Sequence, residues 1–187
     1  MSERLVKVVF AGETNVGKTS IIERSLTNRF SDHTPTVGAA FSTKKVIHGD
    51  KSVMLGIWDT AGQERYQSMS SIYFRQAIIC VLVFDLTNYE SFKKAFMWKR
   101  ICGDSNREYQ NGIPVYILVG NKLDMKNQVV KKAEIETFCQ EHNIAHYIET
   151  SASNGTGIKM LYAKIAEEAC EIKLPITSKA LAIHINN

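Results

Sequence analysis

Leu5-Val6-Lys7-Val8-Val9-Phe10-Ala11-Gly12-Glu13-Thr14-Asn15-Val16-Gly17-Lys18-Thr19-Ser20-Ile21-Ile22 is the stretch that decides the fold. Its first seven residues are apolar apart from Lys7, the pattern of a buried strand. Residues 12–19 fit GxxxxGK[ST], and Ile21, Ile22 and Leu26 then recur at helical spacing. Strand, glycine-rich loop and helix, in that order, are the setting in which this pattern wraps backbone N–H groups around phosphate oxygens. The glycines let the backbone turn tightly, Lys18 can reach the outer phosphates, and the Thr19 hydroxyl suits a magnesium ion. Four fixed positions match a chain of this length by accident about one time in a hundred. Glu13, Thr14, Asn15, Val16, Gly17, Lys18, Thr19 and Ser20 are therefore the candidate phosphate-binding set.

Outward from this loop the chain alternates. Short β-rich runs at Leu5 to Phe10, Val53 to Trp58, Ala77 to Phe84, Pro114 to Val119 and Ala145 to Ile148 are separated by stretches long enough for helices. Such β-α repetition predicts a mostly parallel sheet with helices on both faces. Phe41 to His48 and Ser52 to Trp58, joined by His48-Gly49-Asp50-Lys51, read as a hairpin that adds one antiparallel edge strand. Ile158, Leu161, Ile165 and Ala169 mark a final helix after Asn154-Gly155-Thr156-Gly157. The expectation is one doubly wound α/β domain over residues 1–173 with a six-stranded sheet, followed by a loosely held tail over 174–187. At 187 residues, 44% hydrophobic and 22% charged, intrinsic disorder is excluded, and no apolar run approaches the ~20 residues of a membrane span. A net charge of +4, spread along the chain, does not indicate a nucleic-acid surface. Cys80, Cys102, Cys139 and Cys170 have no metal-ligand spacing and read as reduced thiols in a cytosolic protein.

A phosphate loop alone leaves kinases, ATPases and GTPases open. Asn121-Lys122-Leu123-Asp124 follows the strand ending near Gly120, at the carboxyl edge of the sheet where such folds bind ligands. The Asp124 carboxylate can accept from the N1–H and 2-amino group of guanine, whereas adenine would leave it unpaired. Ser151-Ala152-Ser153 follows the last strand and offers backbone N–H groups to the guanine 6-oxygen. Asp59-Thr60-Ala61-Gly62-Gln63-Glu64 places Asp59 at a strand end, able to hold a metal through water, with Gly62 close to a third phosphate and Gln63 beside an attacking water. Upstream, Thr36 in Thr34-Pro35-Thr36-Val37-Gly38 can reach the metal and that phosphate.

Together these segments resemble the small GTPases of the Ras superfamily over nearly the whole chain, and Trp58 to Tyr66 with Tyr73-Phe74-Arg75 resembles its Rab branch. Gly38-Ala39-Ala40-Phe41 is similar to endosomal Rabs. The resemblance implies the P-loop GTPase fold and a GTP/GDP switch with Mg²⁺ that regulates vesicle-mediated transport. It implies catalytic roles for Gln63, Lys18 and Thr36, and metal ligation by Thr19, Thr36 and, via water, Asp59. It further implies effectors that read Phe41, Trp58 and Tyr73, an exchange factor, a GTPase-activating protein, a monomeric chain, and cycling between cytoplasm and the cytosolic face of endomembranes.

Some positions depart from that family. The segment Phe30 to Thr36 is one residue short, and His33 stands where an aromatic commonly shields the nucleotide. Gly103 to Gly112 is a longer polar loop, and the chain ends Ala182 to Asn187 without a prenylation cysteine, so membrane anchoring is not legible there. A nucleotide kinase is one alternative, though it leaves Asn121-Lys122-Leu123-Asp124 unexplained; a nucleotide-binding scaffold without hydrolysis is the other. Aromatic residues on strands, as Trp58 and Phe41 are, are more often core, and only exposure together would favour an effector patch; His142 with His146 read as ordinary polar positions rather than zinc ligands.

Overall fold

The computed structural model describes residues 5–31, 33–62, 72–107 and 113–172. Gln63, residues 174–187 and part of the loop at 103–112 lie outside the described residues. The elements are β1 (Leu5–Ala11), α1 (Lys18–Thr27), β2 (Ala39–His48), β3 (Lys51–Thr60), β4 (Ile79–Asp85), α2 (Tyr89–Lys93), α3 (Ala95–Asp104), β5 (Val115–Asn121), α4 (Lys132–Glu141), β6 (His146–Glu149) and α5 (Ile158–Glu171). The strands form one six-stranded sheet in the order β2-β3-β1-β4-β5-β6. β2 is antiparallel to β3 and every other pairing is parallel.

The side-chain period of two explains why the central strands are apolar along their whole length. Val6, Val8 and Phe10 of β1, with Ile79, Val81 and Val83 of β4, face a core closed by Ile21 and Ile22 of α1 and by Ile158, Leu161 and Ile165 of α5. Val9 and Ala11, with Cys80, Leu82 and Phe84, face a second core closed by Phe92, Trp98 and Ile135. Each fully buried Leu, Ile or Phe contributes on the order of 1.5–3 kcal/mol, so neither face can be left open. Among the described residues no helix is long and apolar enough to cross a membrane.

Strand boundaries differ from the sequence reading by one or two residues, and those of β4 and the hairpin have a visible cause. β4 begins at Ile79 rather than Ala77, because Gln76 adopts a left-handed conformation and the Ala77 N–H bonds back to the Phe74 carbonyl. The hairpin is longer than its apolar pattern: β2 starts at Ala39 and β3 runs to Thr60, held by the Thr60 hydroxyl donating to the Phe10 carbonyl at 2.7 Å. The consequence is functional, since the hairpin ladder reaches from the turn at Gly49 up to the edge of the site.

After β1 the chain builds β2 and β3 on one side of it and β4 to β6 on the other. The reversal leaves a crevice at the carboxyl ends of the strands, the place where open α/β sheets bind ligands. Gly12, Thr60, Asn121 and Thr150 all lie at or just past those ends.

Candidate functional site

A cavity of about 390 Å³ occupies this crevice, with Thr14, Gly17, Lys18 and Thr19 at one end and Asn121, Lys122, Asp124 and Ala152 at the other. Asn15, Ser20, Phe30, Ser31, His33, Thr36, Gly62, Met125 and Ser153 also line it. Of the residues singled out in the sequence, Glu13, Val16, Asp59 and Ser151 stand behind this lining rather than in it.

The phosphate-loop end follows from local chemistry. Gly17 caps α1 at φ +95°, and a Cβ there would sit 2.3 Å from the Asn121 amide nitrogen, so only glycine fits on both counts. The first helical N–H groups of α1 have no acceptor within the helix, because the ladder starts with Ile21 N–H to the Gly17 carbonyl at 2.9 Å. The Lys18 ammonium, buried, donates to the carbonyls of Gly12 (2.9 Å) and Glu13 (2.8 Å). Burial pulls it down to about 8, against the opposing pull of Asp59 and Glu13. An anion in the cavity would complete its solvation.

Three oxygens converge beside it. Thr19 Oγ1 donates to Asp59 Oδ2 at 2.6 Å and lies 3.0 Å from Thr36 Oγ1. Since Thr19 has given its only proton to Asp59, Thr36 is the donor between the two hydroxyls. Asp59 Oδ1 and Thr14 Oγ1 are buried without a partner among the described residues. Burial pushes the Asp59 carboxyl above the usual carboxylate range, opposed by the Thr19 hydroxyl, Lys18 and His33. A hard divalent cation takes such oxygens, so the donor set fits magnesium. Gly62 lies against the phosphate loop, where a Cβ would be 2.3 Å from the Thr14 nitrogen.

At the other end Asn121 works as a brace. Its amide donates to the Val16 carbonyl at 2.8 Å, and its Oδ1 accepts from the Thr150 hydroxyl (3.1 Å) and the Ala152 N–H (3.2 Å). Phosphate loop and β6 loop are thereby joined through one side chain. Lys122, at φ 66°, pairs with Asp85 at 2.7 Å, and Ser151 Oγ donates to Asp124 Oδ1 at 2.6 Å, fixing a carboxylate that borders the cavity.

Several contacts here have no local sequence signal. The Glu13 carboxylate turns away from the cavity to Lys94 (2.9 Å) and to the indole N–H of the fully buried Trp98 (3.2 Å). Glu13→Ala is expected to cost about 1–3 kcal/mol, because it strips a buried donor of its acceptor; urea unfolding measures this, and an unchanged midpoint would refute it. His33 Nε2 lies 2.9 Å from Glu23, which also accepts from the Ser31 hydroxyl. The short loop before Thr36 is thus held to α1 by polar contacts rather than an aromatic. His142 packs its ring on Phe96 and Phe138, and His146 pairs with Glu168.

The Phe41 and Trp58 rings lie 5.2 Å apart, and Trp58 and Tyr73 6.0 Å apart. Phe41 is 46% exposed, whereas Trp58 and Tyr73 are half-buried and Trp58 packs against the second core, so the row runs from that core to the surface. Lys7 lies over the Trp58 ring at 4.7 Å and donates to the Arg75 carbonyl at 2.7 Å.

The family model that matches is that of the Ras family, over residues 7–171. The Ras-related protein Rab7 of Drosophila melanogaster is 38% identical over 171 residues, covering 90% of this chain and 82% of the relative. The Ypt/Rab-type GTPase ypt7 of Schizosaccharomyces pombe is 39% identical over 173 residues, covering 90% and 84%. The Ras-related protein Rab-24 of Dictyostelium discoideum is 39% identical over 170 residues, covering 89% and 81%. The chain belongs to the Ras family and, within it, to the Rab small GTPases: a guanine-nucleotide switch of vesicle traffic that hydrolyses GTP.

Proposed function

We propose that the crevice binds GTP or GDP with the base at Asn121, Lys122, Asp124 and the Ser151-Ala152-Ser153 loop, and the phosphates along Glu13 to Ser20. Thr19, Thr36 and, through water, Asp59 are the residues that would hold Mg²⁺. The observation that carries this reading is the convergence of those three side chains beside the phosphate loop, with Asp59 Oδ1 buried and unpartnered. Bound there, the metal would neutralise charge on the outer phosphates.

The chain's own contributions are positional. Lys18 supplies a pre-placed cation, Asp124 accepts the base donors, and Thr36 and Gly62 border the outer end of the phosphate site. Gln63, next after Gly62, is assigned to orienting the attacking water. Residues 1–173 are assigned to the GTPase domain. Effectors would read Phe41, Trp58 and Tyr73, supported by their forming one partly exposed row. An exchange factor, an activating protein, a monomeric state and cycling to the cytosolic face of endomembranes complete the proposal. Membership of the Ras family removes the nucleotide-kinase alternative.

The test is the nucleotide released on heat denaturation, followed by single-turnover hydrolysis of bound GTP. A related GTPase turns over unaided at roughly 3–5 × 10⁻⁴ per second, and a similarly slow rate is expected. Gln63→Leu should suppress it by tenfold or more, on the order of one lost positioning contact. Hydrolysis absent from the unaltered protein would favour a binding-only scaffold, and an adenine nucleotide would overturn the base site.

A further inference from the structure

Arg24, in α1, makes three hydrogen bonds to backbone carbonyls. One terminal nitrogen holds the Asn28 carbonyl at 2.9 Å at the end of its own helix. The other two contacts go to the loop after β6: Nε to the Ala152 carbonyl at 2.8 Å, and the second terminal nitrogen to the Ser153 carbonyl. Holding two adjacent carbonyls with one planar fork fixes two adjacent peptide planes, which a flexible ammonium cannot do.

The partners of those peptides decide what the fork accomplishes. In a trans peptide the N–H points opposite to the C=O. The Ser153 carbonyl shares its peptide with the Asn154 N–H, which donates to Ser151 Oγ at 3.1 Å, so that plane is held at both ends. The Ala152 carbonyl shares its peptide with the Ser153 N–H, for which no acceptor is present among the described residues. Ala152 and Ser153 border the cavity, while the Ala152 N–H is already committed to Asn121. Of the two residues of this loop that border the cavity, Ser153 is therefore the one whose N–H is uncommitted among the described residues, and Arg24 holds its peptide from behind. A guanidinium on the carbonyl also polarises the amide and strengthens its N–H as a donor.

We propose that Arg24 is a positioning residue for recognition of the 6-oxygen of guanine: from α1 it sets the plane and donor strength of the Ser153 peptide. This rests on the nucleotide-binding reading above. The separate reading, in which Arg24 only ties α1 to the β6 loop for stability, makes a different forecast.

The experiment measures the affinities of GDP, IDP, ADP and 6-thio-GDP for the full chain, Arg24→Met and Arg24→Lys, by competition against a fluorescent GDP. IDP lacks only the 2-amino group, so it reports on Asp124; 6-thio-GDP replaces the 6-oxygen by a poor acceptor and reports on the opposite edge. In Arg24→Met the preference for GDP over 6-thio-GDP should shrink by roughly five- to tenfold, while the preference for GDP over IDP stays within twofold. Arg24→Lys should fall between. Equal weakening toward all four nucleotides, or no change in either variant, would overturn the proposal. So would an Arg24→Lys chain that fails to fold, since charge and reach are kept. An unaltered protein that binds GDP no better than ADP would instead overturn the base site itself, and the Arg24 role with it.

Discussion

Asp124→Asn is expected to move base preference from guanine to xanthine. Ser151 Oγ holds one carboxylate oxygen of Asp124 at 2.6 Å, leaving the group fixed at the cavity edge with acceptor capacity to spare. That capacity suits the N1–H and 2-amino donors of guanine. An asparagine keeps the oxygen that Ser151 and N1–H need, but presents an NH₂ where the 2-amino group would be, and xanthine carries a carbonyl there. Sites that hydrogen-bond a particular donor reject analogues lacking it by roughly 10⁴, so a swing of two or more orders of magnitude in the GDP-to-XDP ratio is expected. Competition binding of the two nucleotides to both chains measures it. Unchanged guanine selectivity would remove Asp124 from the base site.

Lys18→Met should weaken GDP and GTP binding by on the order of 10²- to 10³-fold, the usual cost of truncating one partner of a buried charged hydrogen bond. GMP, with no outer phosphate to lose, should weaken far less. Burial holds the free ammonium at about 8, and a bound phosphate favours the charged form and raises that value. Binding above pH 8 then takes up a proton, so affinity falls by up to about tenfold per pH unit there and is flat below. In Lys18→Met that slope should vanish. Titration calorimetry from about pH 7 to 9 checks both, and a slope that survives the substitution would assign the proton elsewhere.

Legibility from the sequence followed the range of the interaction. The phosphate loop, the hairpin and α5 are written in contiguous residues, because turn chemistry and apolar period are local. The structure brings Lys18, Thr36, Asn121, Asp124 and Ala152, quoted from four separate segments, around one cavity, as the order of strand ends requires. What stayed hidden depends on packing between distant segments. Glu13 reads as a phosphate-loop residue, yet its carboxylate meets Lys94 and Trp98, 81 and 85 positions away. Arg24 carries no signal in its own segment, and only the fold shows the two loop carbonyls it holds. Phe41 and Trp58 could not be sorted between core and surface, since strand alternation does not say which face of an edge hairpin another element covers.

The length of that hairpin carries a mechanical consequence. β2 and β3 pair without a break from His48 opposite Lys51 to Ala39 opposite Thr60, and the Ala61 N–H extends the ladder to the Gly38 carbonyl at 2.8 Å. Thr36 stands two residues before one end of this ribbon and Gly62 one residue after the other. The two loops that bring Thr36 and Gly62 to the cavity are thus the tips of a single zipped strip, cross-linked at the last rung. A displacement at either tip is passed to the other through that rung, and the paired Phe41 and Trp58 rings lie on the same strip.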